Sequence, residues 1–127
     1  MQQAPPKTLL LADDGSDEVF LFKRACAKAA VSFSLQIVRD GRQAVDYLVG
    51  DGEYRDRNKF PFPDLLLLDI NMPVMSGFEV LKWVRAHRDY KHLLVVMFSS
   101  SVAEIDVRRA YDLFANSYLE KRLAPVP

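Results

Sequence analysis

Apolar runs and amphipathic segments alternate along the chain from residue 7 to residue 119. Two of the runs, residues 65–68 and 93–98, are continuously apolar, which is typical of parallel strands that are buried on both faces. Residues 33–38 instead alternate apolar and polar positions, which indicates a strand at the edge of a sheet. This alternation of strands and helical segments predicts an α/β domain built on a parallel sheet.

The same pattern predicts where each element lies. The predicted strands are residues 7–12, 33–38, 65–68, 93–98 and 117–119. The predicted helices are residues 16–30 with Ser16 as the cap, then 42–49, 77–87 and 102–114. Residues 51–63 are polar, aromatic and interrupted by proline, so we expect a long connection without regular structure there.

Composition narrows the class of protein. A length of 127 residues predicts one domain, residues 1–127, with a core from 7 to 121. The 17 basic and 17 acidic residues give zero formal net charge, which argues against nucleic acid or a membrane as partner. The single Cys26 excludes an internal disulfide. With no signal peptide or long apolar run in the sequence, we expect a soluble cytoplasmic protein.

Polar side chains follow four of the five predicted strands. Asp13 and Asp14 follow the first strand, Asp69 follows the third, and Ser99 and Lys121 lie at the ends of the last two. Ligands of open parallel sheets bind at this carboxyl edge. Crowded carboxylates need a cation, and oxygen ligands suit Mg²⁺ or Mn²⁺. A carboxylate beside a metal, a lysine and a hydroxyl suits phosphoryl transfer to aspartate, with Asp69 as the nucleophile.

Each of these residues also has a simpler interpretation. Asp13 and Asp14 could be turn residues ahead of the first helix, and Asp69 could serve the turn that Pro73 ends. The serines at 99–101 include a natural cap for the fourth predicted helix. The phosphotransfer hypothesis rests on the coincidence of these groups at one edge of the sheet.

Several separate motifs in order resemble the receiver domains of two-component response regulators. The motifs are Leu11-Ala12-Asp13-Asp14, Leu68-Asp69-Ile70-Asn71-Met72-Pro73, Met75-Ser76-Gly77, Ser99-Ser100-Ser101 and Ala115-Asn116-Ser117-Tyr118-Leu119-Glu120-Lys121. The resemblance implies a flavodoxin-like, doubly wound sheet of five parallel strands in the order 2-1-3-4-5. Residues 40–48 and the connection at 54–63 are similar to stand-alone receivers that work with bacterial phytochrome-type histidine kinases.

The resemblance also implies a role for each site residue. Asp69 would accept a phosphoryl group from a kinase phosphohistidine. Asp14, Asp13 through water, and the Asn71 backbone carbonyl would complete the Mg²⁺ site. Lys121 would pair with the phosphoryl oxygens.

The switch residues follow from the same resemblance. Ser99 stands at the hydroxyl switch position and Tyr118 at the aromatic one, so the face made by the fourth helix and fifth strand would change on phosphorylation. The side chains of Asn71 and Ser101 would flank the path of the water that hydrolyses the acyl phosphate. The implied partners are a sensor histidine kinase, a downstream protein and a second copy of the chain.

Two departures from the family pattern leave alternatives open. Arg122 follows Lys121 where the family usually has proline, and six residues after Lys121 are too few for the usual fifth helix. One alternative is therefore a receiver-like interaction module that does not cycle phosphate. Another is an aspartyl-phosphate phosphatase of the haloacid dehalogenase type, which expects an aspartate where Asn71 stands. The preferred function is signalling, with no enzyme activity beyond self-phosphorylation and self-dephosphorylation.

Overall fold

A parallel five-stranded sheet organises the chain. The computed structural model describes residues 7–30 and 32–121. The strands are β1 (Lys7–Ala12), β2 (Phe33–Val38), β3 (Leu65–Leu68), β4 (Leu94–Ser99) and β5 (Ser117–Glu120). Their order in the sheet is β2-β1-β3-β4-β5, with every neighbouring pair parallel. The predicted fold class and strand order are confirmed.

Four α-helices connect the strands within the described residues. They are α1 (Ser16–Lys28), α2 (Gly41–Val49), α3 (Gly77–Ala86) and α4 (Glu104–Asp112). The fifth helix and the effect of Arg122 concern residues outside the described ranges. No helix in those ranges is long and apolar enough to cross a membrane.

Two helices have ends that differ from the predicted ones. Ser16 is the first residue of α1 rather than its cap, because Gly15 is the extended residue that precedes the helix. Helix α4 spans fewer residues than 102–114, because Ala103 is still extended and Phe114 adopts a positive φ of 69°. Both differences lie at helix ends, where local patterns specify boundaries least well.

Residues 51–63 lie in the connection between α2 and β3, as predicted, but part of this connection is regular. A 3₁₀ turn forms at Gly52–Tyr54. The Arg57 guanidinium then donates to the carbonyl oxygens of Tyr47 (2.8 Å) and Phe60 (3.1 Å). The rings of Tyr47, Tyr54 and Phe60 pack together with centroids 5.0–6.0 Å apart. These contacts tie the connection to the end of α2.

The two faces of the sheet are covered unequally. The larger core lies on the face that α2, α3 and α4 share, and it includes Leu10, Leu66 and Met97 at 0% exposure. A smaller cluster lies on the face that α1 covers. Strand β4 was predicted to be buried on both faces, but Leu94 is 52% exposed and Phe98 is only half-buried. The prediction is wrong for this strand because, among the described helices, α1 alone packs on that side of the sheet.

The edge position of β2 is confirmed, since five of its six residues are only half-buried. The inner strands end in register. Ala12 pairs with Leu68, and Leu68 pairs with Met97, so β1, β3 and β4 finish at one edge. The backbone N–H of Asp69 donates to the Ala12 carbonyl oxygen (3.0 Å). The residues that follow these strands are therefore brought together.

Candidate functional site

Two buried acids lie side by side at the carboxyl edge of the sheet. Asp13 follows β1 and is 0% exposed, and Asp69 follows β3 and is 8% exposed. Gly15 N–H donates to Asp13 Oδ1 (2.9 Å), which orients that carboxylate. Burial of two charges costs free energy unless they are paired. The site therefore requires a cation.

Lys121 supplies a positive charge between the two acids. Its Nζ lies 2.5 Å from Asp13 Oδ2 and 3.2 Å from Asp69 Oδ2. The backbone N–H of Lys121 donates to the Ser99 carbonyl oxygen (2.7 Å), which fixes where the side chain starts. The Phe98 ring covers the ammonium group, with its centroid 5.6 Å from Nζ. The pairing of β5 with β4 therefore places the Lys121 side chain next to the two acids.

The pKa values of the pair reflect burial and charge together. Burial raises the pKa of Asp69, and the Asp13 carboxylate adds to that rise while Lys121 opposes it. Burial by itself would lower the pKa of Lys121, but the Asp13 and Asp69 carboxylates outweigh burial and raise that pKa. The ammonium group is therefore firmly charged at neutral pH.

Three carboxylates meet at this edge in a way that suits a divalent metal. Asp13, Asp14 and Asp69 each offer an oxygen, and these oxygens lie within 4.8 Å of one another. Asp13 Oδ2 is buried without a hydrogen-bond partner of good geometry among the described residues, its close contact being the Lys121 ammonium. Asp14 is exposed, which leaves one side of the cluster open to solvent. An all-oxygen, partly solvated set is what Mg²⁺ and Mn²⁺ prefer.

The predicted switch residues Ser99 and Tyr118 lie on the neighbouring strands β4 and β5. Ser99 is 1% exposed, and its Oγ accepts from the Ser101 backbone N–H (3.1 Å). Tyr118 is half-buried, and its hydroxyl donates to the Ser101 carbonyl oxygen (2.8 Å). Asn71 lies exposed in the loop after β3. The structure thus brings Ser99 and Tyr118 to one loop, while the role of the Asn71 carbonyl stays a prediction.

The serines do not cap α4 in the expected way. The residue that precedes the helix is Ala103, which gives α4 no side-chain cap. The Ser101 hydroxyl accepts from the Ala103 N–H (3.2 Å) and donates to Asp106 Oδ2 (2.6 Å). The spacing from Ser101 to Glu104 matches a capping box, so the local pattern points to the wrong acid. Asp106 is a residue that sequence reasoning missed.

The fold and the site together define a class of protein. An open parallel sheet in this order carries two buried acids, a lysine and a buried serine at its carboxyl edge, which is the arrangement expected of a receiver. Residues 9–126 match the response regulator receiver domain family. The chain belongs to that family.

Individual relatives include phytochrome response regulators. Response regulator Rcp1 of Synechocystis sp. is 37% identical over 117 residues, which cover 92% of this chain and 78% of the relative. The crystal structure of phosphorylated RcpA, a cyanobacterial phytochrome response regulator, has a TM-score of 0.83 at 36% identity, covering 92% and 81% of the two chains. RPA3017, from red light signalling of R. palustris, has a TM-score of 0.85 at 32% identity, covering 95% and 82%.

These comparisons decide among the hypotheses. The chain is a receiver domain of the two-component response regulators, and neither the module that does not cycle phosphate nor the phosphatase is favoured. Rcp1 has also been crystallised in an Mn²⁺-bound form, with a TM-score of 0.82, 36% identity, and coverage of 92% and 82%. Receivers bind divalent metal, and Asp13, Asp14 and Asp69 are the residues placed to do so here.

Proposed function

We propose that Asp69 accepts a phosphoryl group from the phosphohistidine of a sensor histidine kinase of the phytochrome type. The observation that carries the proposal is the buried arrangement of Asp69 and Asp13 around the Lys121 ammonium, at 3.2 Å and 2.5 Å. The likeness to Rcp1 and RcpA supports the choice of kinase. The protein acts as a switch and catalyses only its own phosphorylation and dephosphorylation.

The transfer is a nucleophilic displacement at phosphorus. A carboxylate oxygen of Asp69 forms the new P–O bond while the P–N bond to the kinase imidazole breaks, and the imidazole nitrogen keeps the electron pair and takes a proton from solvent. Lys121 stands close enough to Asp69 to pair with an oxygen of the transferred group. The Ser99 hydroxyl supplies a hydrogen-bond donor to another oxygen.

The metal site uses the same acids. Asp14, Asp69 and the Asn71 backbone carbonyl, with Asp13 acting through water, would hold Mg²⁺, or Mn²⁺ in its place. The bound ion supplies positive charge that offsets the negative charge of the transferred group. The Asp13 carboxylate also lies against the Lys121 ammonium, so one acid is shared between the lysine and the metal site.

The output surface is the face made by α4 and β5. Ser99 moves towards the phosphoryl group, and Tyr118 turns into the space that Ser99 leaves. This face exposes Val102 (66%), Ile105 (75%) and Leu119 (50%), which supports docking of a downstream protein or of a second copy of the chain. Zero formal net charge offers no broad positive field to nucleic acid or an anionic membrane, which supports a protein as the partner.

Phosphorylation with a small donor tests the proposed acceptor. Incubation with acetyl phosphate and Mg²⁺ is expected to add one acid-labile, hydroxylamine-sensitive phosphate, measured by intact mass. Asp69→Asn is expected to abolish it, whereas Asp51→Asn, which changes an exposed acid outside the site, is expected to leave it.

Two results would contradict the proposal. A phosphate that persists in Asp69→Asn means that another residue is the acceptor. A wild-type chain that binds Mg²⁺ and takes up no phosphate, from acetyl phosphate or from a phytochrome-type kinase, means that the domain does not cycle phosphate.

A further inference from the structure

Ser101 is the residue at which three parts of the switch region meet. Its backbone N–H donates to Ser99 Oγ (3.1 Å), and its carbonyl oxygen accepts from the Tyr118 hydroxyl (2.8 Å). Its own hydroxyl donates to Asp106 Oδ2 (2.6 Å). One residue therefore links the end of β4, the aromatic ring on β5 and the first turn of α4.

Apart from the bond between Ser101 and Asp106, few contacts hold helix α4 against the rest of the domain. Ala110 is its one buried residue in the part of the chain that the structure describes, and Ile105 is 75% exposed. Ala103 provides no side-chain cap. The Ser101 hydroxyl takes on that task by bonding both the Ala103 N–H (3.2 Å) and the Asp106 carboxylate. A helix with so little buried surface is free to shift when such a contact changes.

We propose that Ser101 and Asp106 are positioning residues that couple the Ser99 hydroxyl to helix α4, a pair named here the Ser101–Asp106 latch. The proposal rests on the proposed function, because it requires Ser99 to move towards a phosphoryl group on Asp69. The Ser99 oxygen is held by the Ser101 N–H, so that movement either frees the N–H or draws Ser101 along. Since leaving this part-buried N–H without a partner costs free energy, Ser101 follows.

The movement of Ser101 then reaches two further elements. Asp106 is bonded to the Ser101 hydroxyl, so the first turn of α4 is pulled with it. Tyr118 is bonded to the Ser101 carbonyl oxygen, so the ring responds to the same displacement. Both hydrogen bonds come from one residue, and α4 and Tyr118 therefore change together rather than independently.

The latch also changes the role expected of Ser101. A serine hydroxyl has one hydrogen to donate, and here that hydrogen goes to Asp106. The hydroxyl consequently has no second hydrogen for a hydrolytic water. In this chain its donor hydrogen serves to position α4.

Hydrogen exchange of the full chain tests the latch. Amide exchange over residues 104–112 is measured with Mg²⁺ alone and with Mg²⁺ plus acetyl phosphate, and phosphate uptake is measured by mass in the same samples. The variants are Ser101→Ala and Asp106→Ala. Glu104→Ala is the matched control, because Glu104 is an acid of the same helical turn that bonds Arg108 instead of Ser101. Ser101→Thr keeps the hydroxyl and serves as the rescue variant.

The expected results separate coupling from a simple structural contact. Without phosphate, exchange over α4 rises roughly tenfold in Ser101→Ala and in Asp106→Ala, because a hydrogen bond to a charged group is lost. At equal phosphorylation, the phosphate-dependent change over α4 seen in the wild type disappears in both variants. Ser101→Thr and Glu104→Ala retain that change.

Each contrary result has its own meaning. If Ser101→Ala and Asp106→Ala keep a phosphate-dependent change of wild-type size, the contact is structural only and the latch is overturned. The latch is also overturned if the wild type takes up phosphate on Asp69 and exchange over α4 does not respond. If the wild type takes up no phosphate, the proposed function itself fails, and the coupling fails with it.

Discussion

Helices α3 and α4 flank the same site and are held in very different ways. Helix α3 has ten residues and follows the loop of Asp69, while α4 has nine and follows the loop of Ser99. Helix α3 starts with a capping box, in which Ser76 and Glu79 bond each other's backbone N–H groups. Its buried residues are Gly77, Phe78, Val80, Leu81 and Val84. In α4, Ala110 alone is buried among the described residues.

The difference matters because the two loops have different tasks. The backbone N–H of Gly77, the first residue of α3, donates to the Ile70 carbonyl oxygen (2.9 Å). A Cβ at this position would collide with the backbone of Asp69, so the close approach requires glycine. The acceptor loop is thereby packed onto a fixed helix. The Ser99 loop instead leads into a helix with little buried surface. A rigid acceptor and a mobile responder are what a phosphorylation switch requires.

The largest expected effect comes from emptying the buried face of α3. Leu81→Ala is expected to lower the free energy of unfolding by about 3 kcal/mol, because it leaves a cavity in the core. Ile105→Ala, on the exposed face of α4, is expected to change it by less than about 0.5 kcal/mol. Urea denaturation followed by circular dichroism measures both. Similar losses in the two variants would mean that α3 is held no more firmly than α4.

The next effect concerns the Arg85 hydrogen bonds that join α3 to neighbouring segments. The Arg85 guanidinium donates to the carbonyl oxygens of Leu93 (2.7 Å) and Phe114 (2.8 Å) and to Asn116 Oδ1 (2.7 Å). Arg85→Ala is expected to lower the free energy of unfolding by about 2 kcal/mol, because these charge-assisted bonds are lost together. Urea denaturation measures the loss, and Lys82→Ala, at an exposed position of α3, is the control. If the free energy of unfolding falls no more than in the control, the Arg85 hydrogen bonds add nothing to the rigidity of α3.

Removing the cap of α3 and adding one to α4 are expected to change the free energy of unfolding by smaller amounts, in opposite directions. Ser76→Ala is expected to lower the free energy of unfolding by about 1 kcal/mol, because the α3 cap is lost. Ala103→Ser is expected to raise it by about 0.5 kcal/mol and to slow amide exchange in α4, because a new hydroxyl can accept from the first turn. Denaturation and hydrogen exchange measure the pair. A loss of stability in Ala103→Ser would mean that a cap at this position disturbs the contacts of Ser101.

The smallest effect is expected for the surface ion pair of α4. Arg108 Nη2 lies 3.0 Å from Glu104 Oε1, and the two side chains are 70% and 85% exposed. Arg108→Ala is expected to change the free energy of unfolding by less than about 0.5 kcal/mol, because water screens an exposed pair. Thermal denaturation at low and high salt measures it. A larger, salt-dependent loss would mean that α4 is held more firmly than its burial indicates.

Much of the site could be predicted from the sequence. Asp13 and Asp69 directly follow predicted strands, and the carboxyl ends of parallel strands must share one edge. Lys121 follows the last short strand by the same rule, and its ammonium lies between those two acids. The pattern is local in the chain, so the sequence expresses it directly.

Contacts that no residue type marks in the sequence were beyond prediction. Arg57 and Arg85 bond carbonyl oxygens, which every residue carries, so no residue type marks the partner. Asp106 could not be distinguished from Glu104, since both are acids in the first turn of α4. The half-exposed Phe98 is apolar like its buried neighbours, and only the packing of helices around the sheet decides its exposure.

The sequence by itself determined the order of elements and the residues at the strand ends, because hydrophobic periodicity and turn residues act over a few positions. The tertiary structure alone decided that Lys121 lies between Asp13 and Asp69 and that Ser101 holds α4 through Asp106. The Lys121 contacts depend on distances between segments that are remote in the chain, and the Ser101 contact depends on how the loop after β4 enters α4. Such distances are set by how strands pair and helices pack, and no local pattern encodes them.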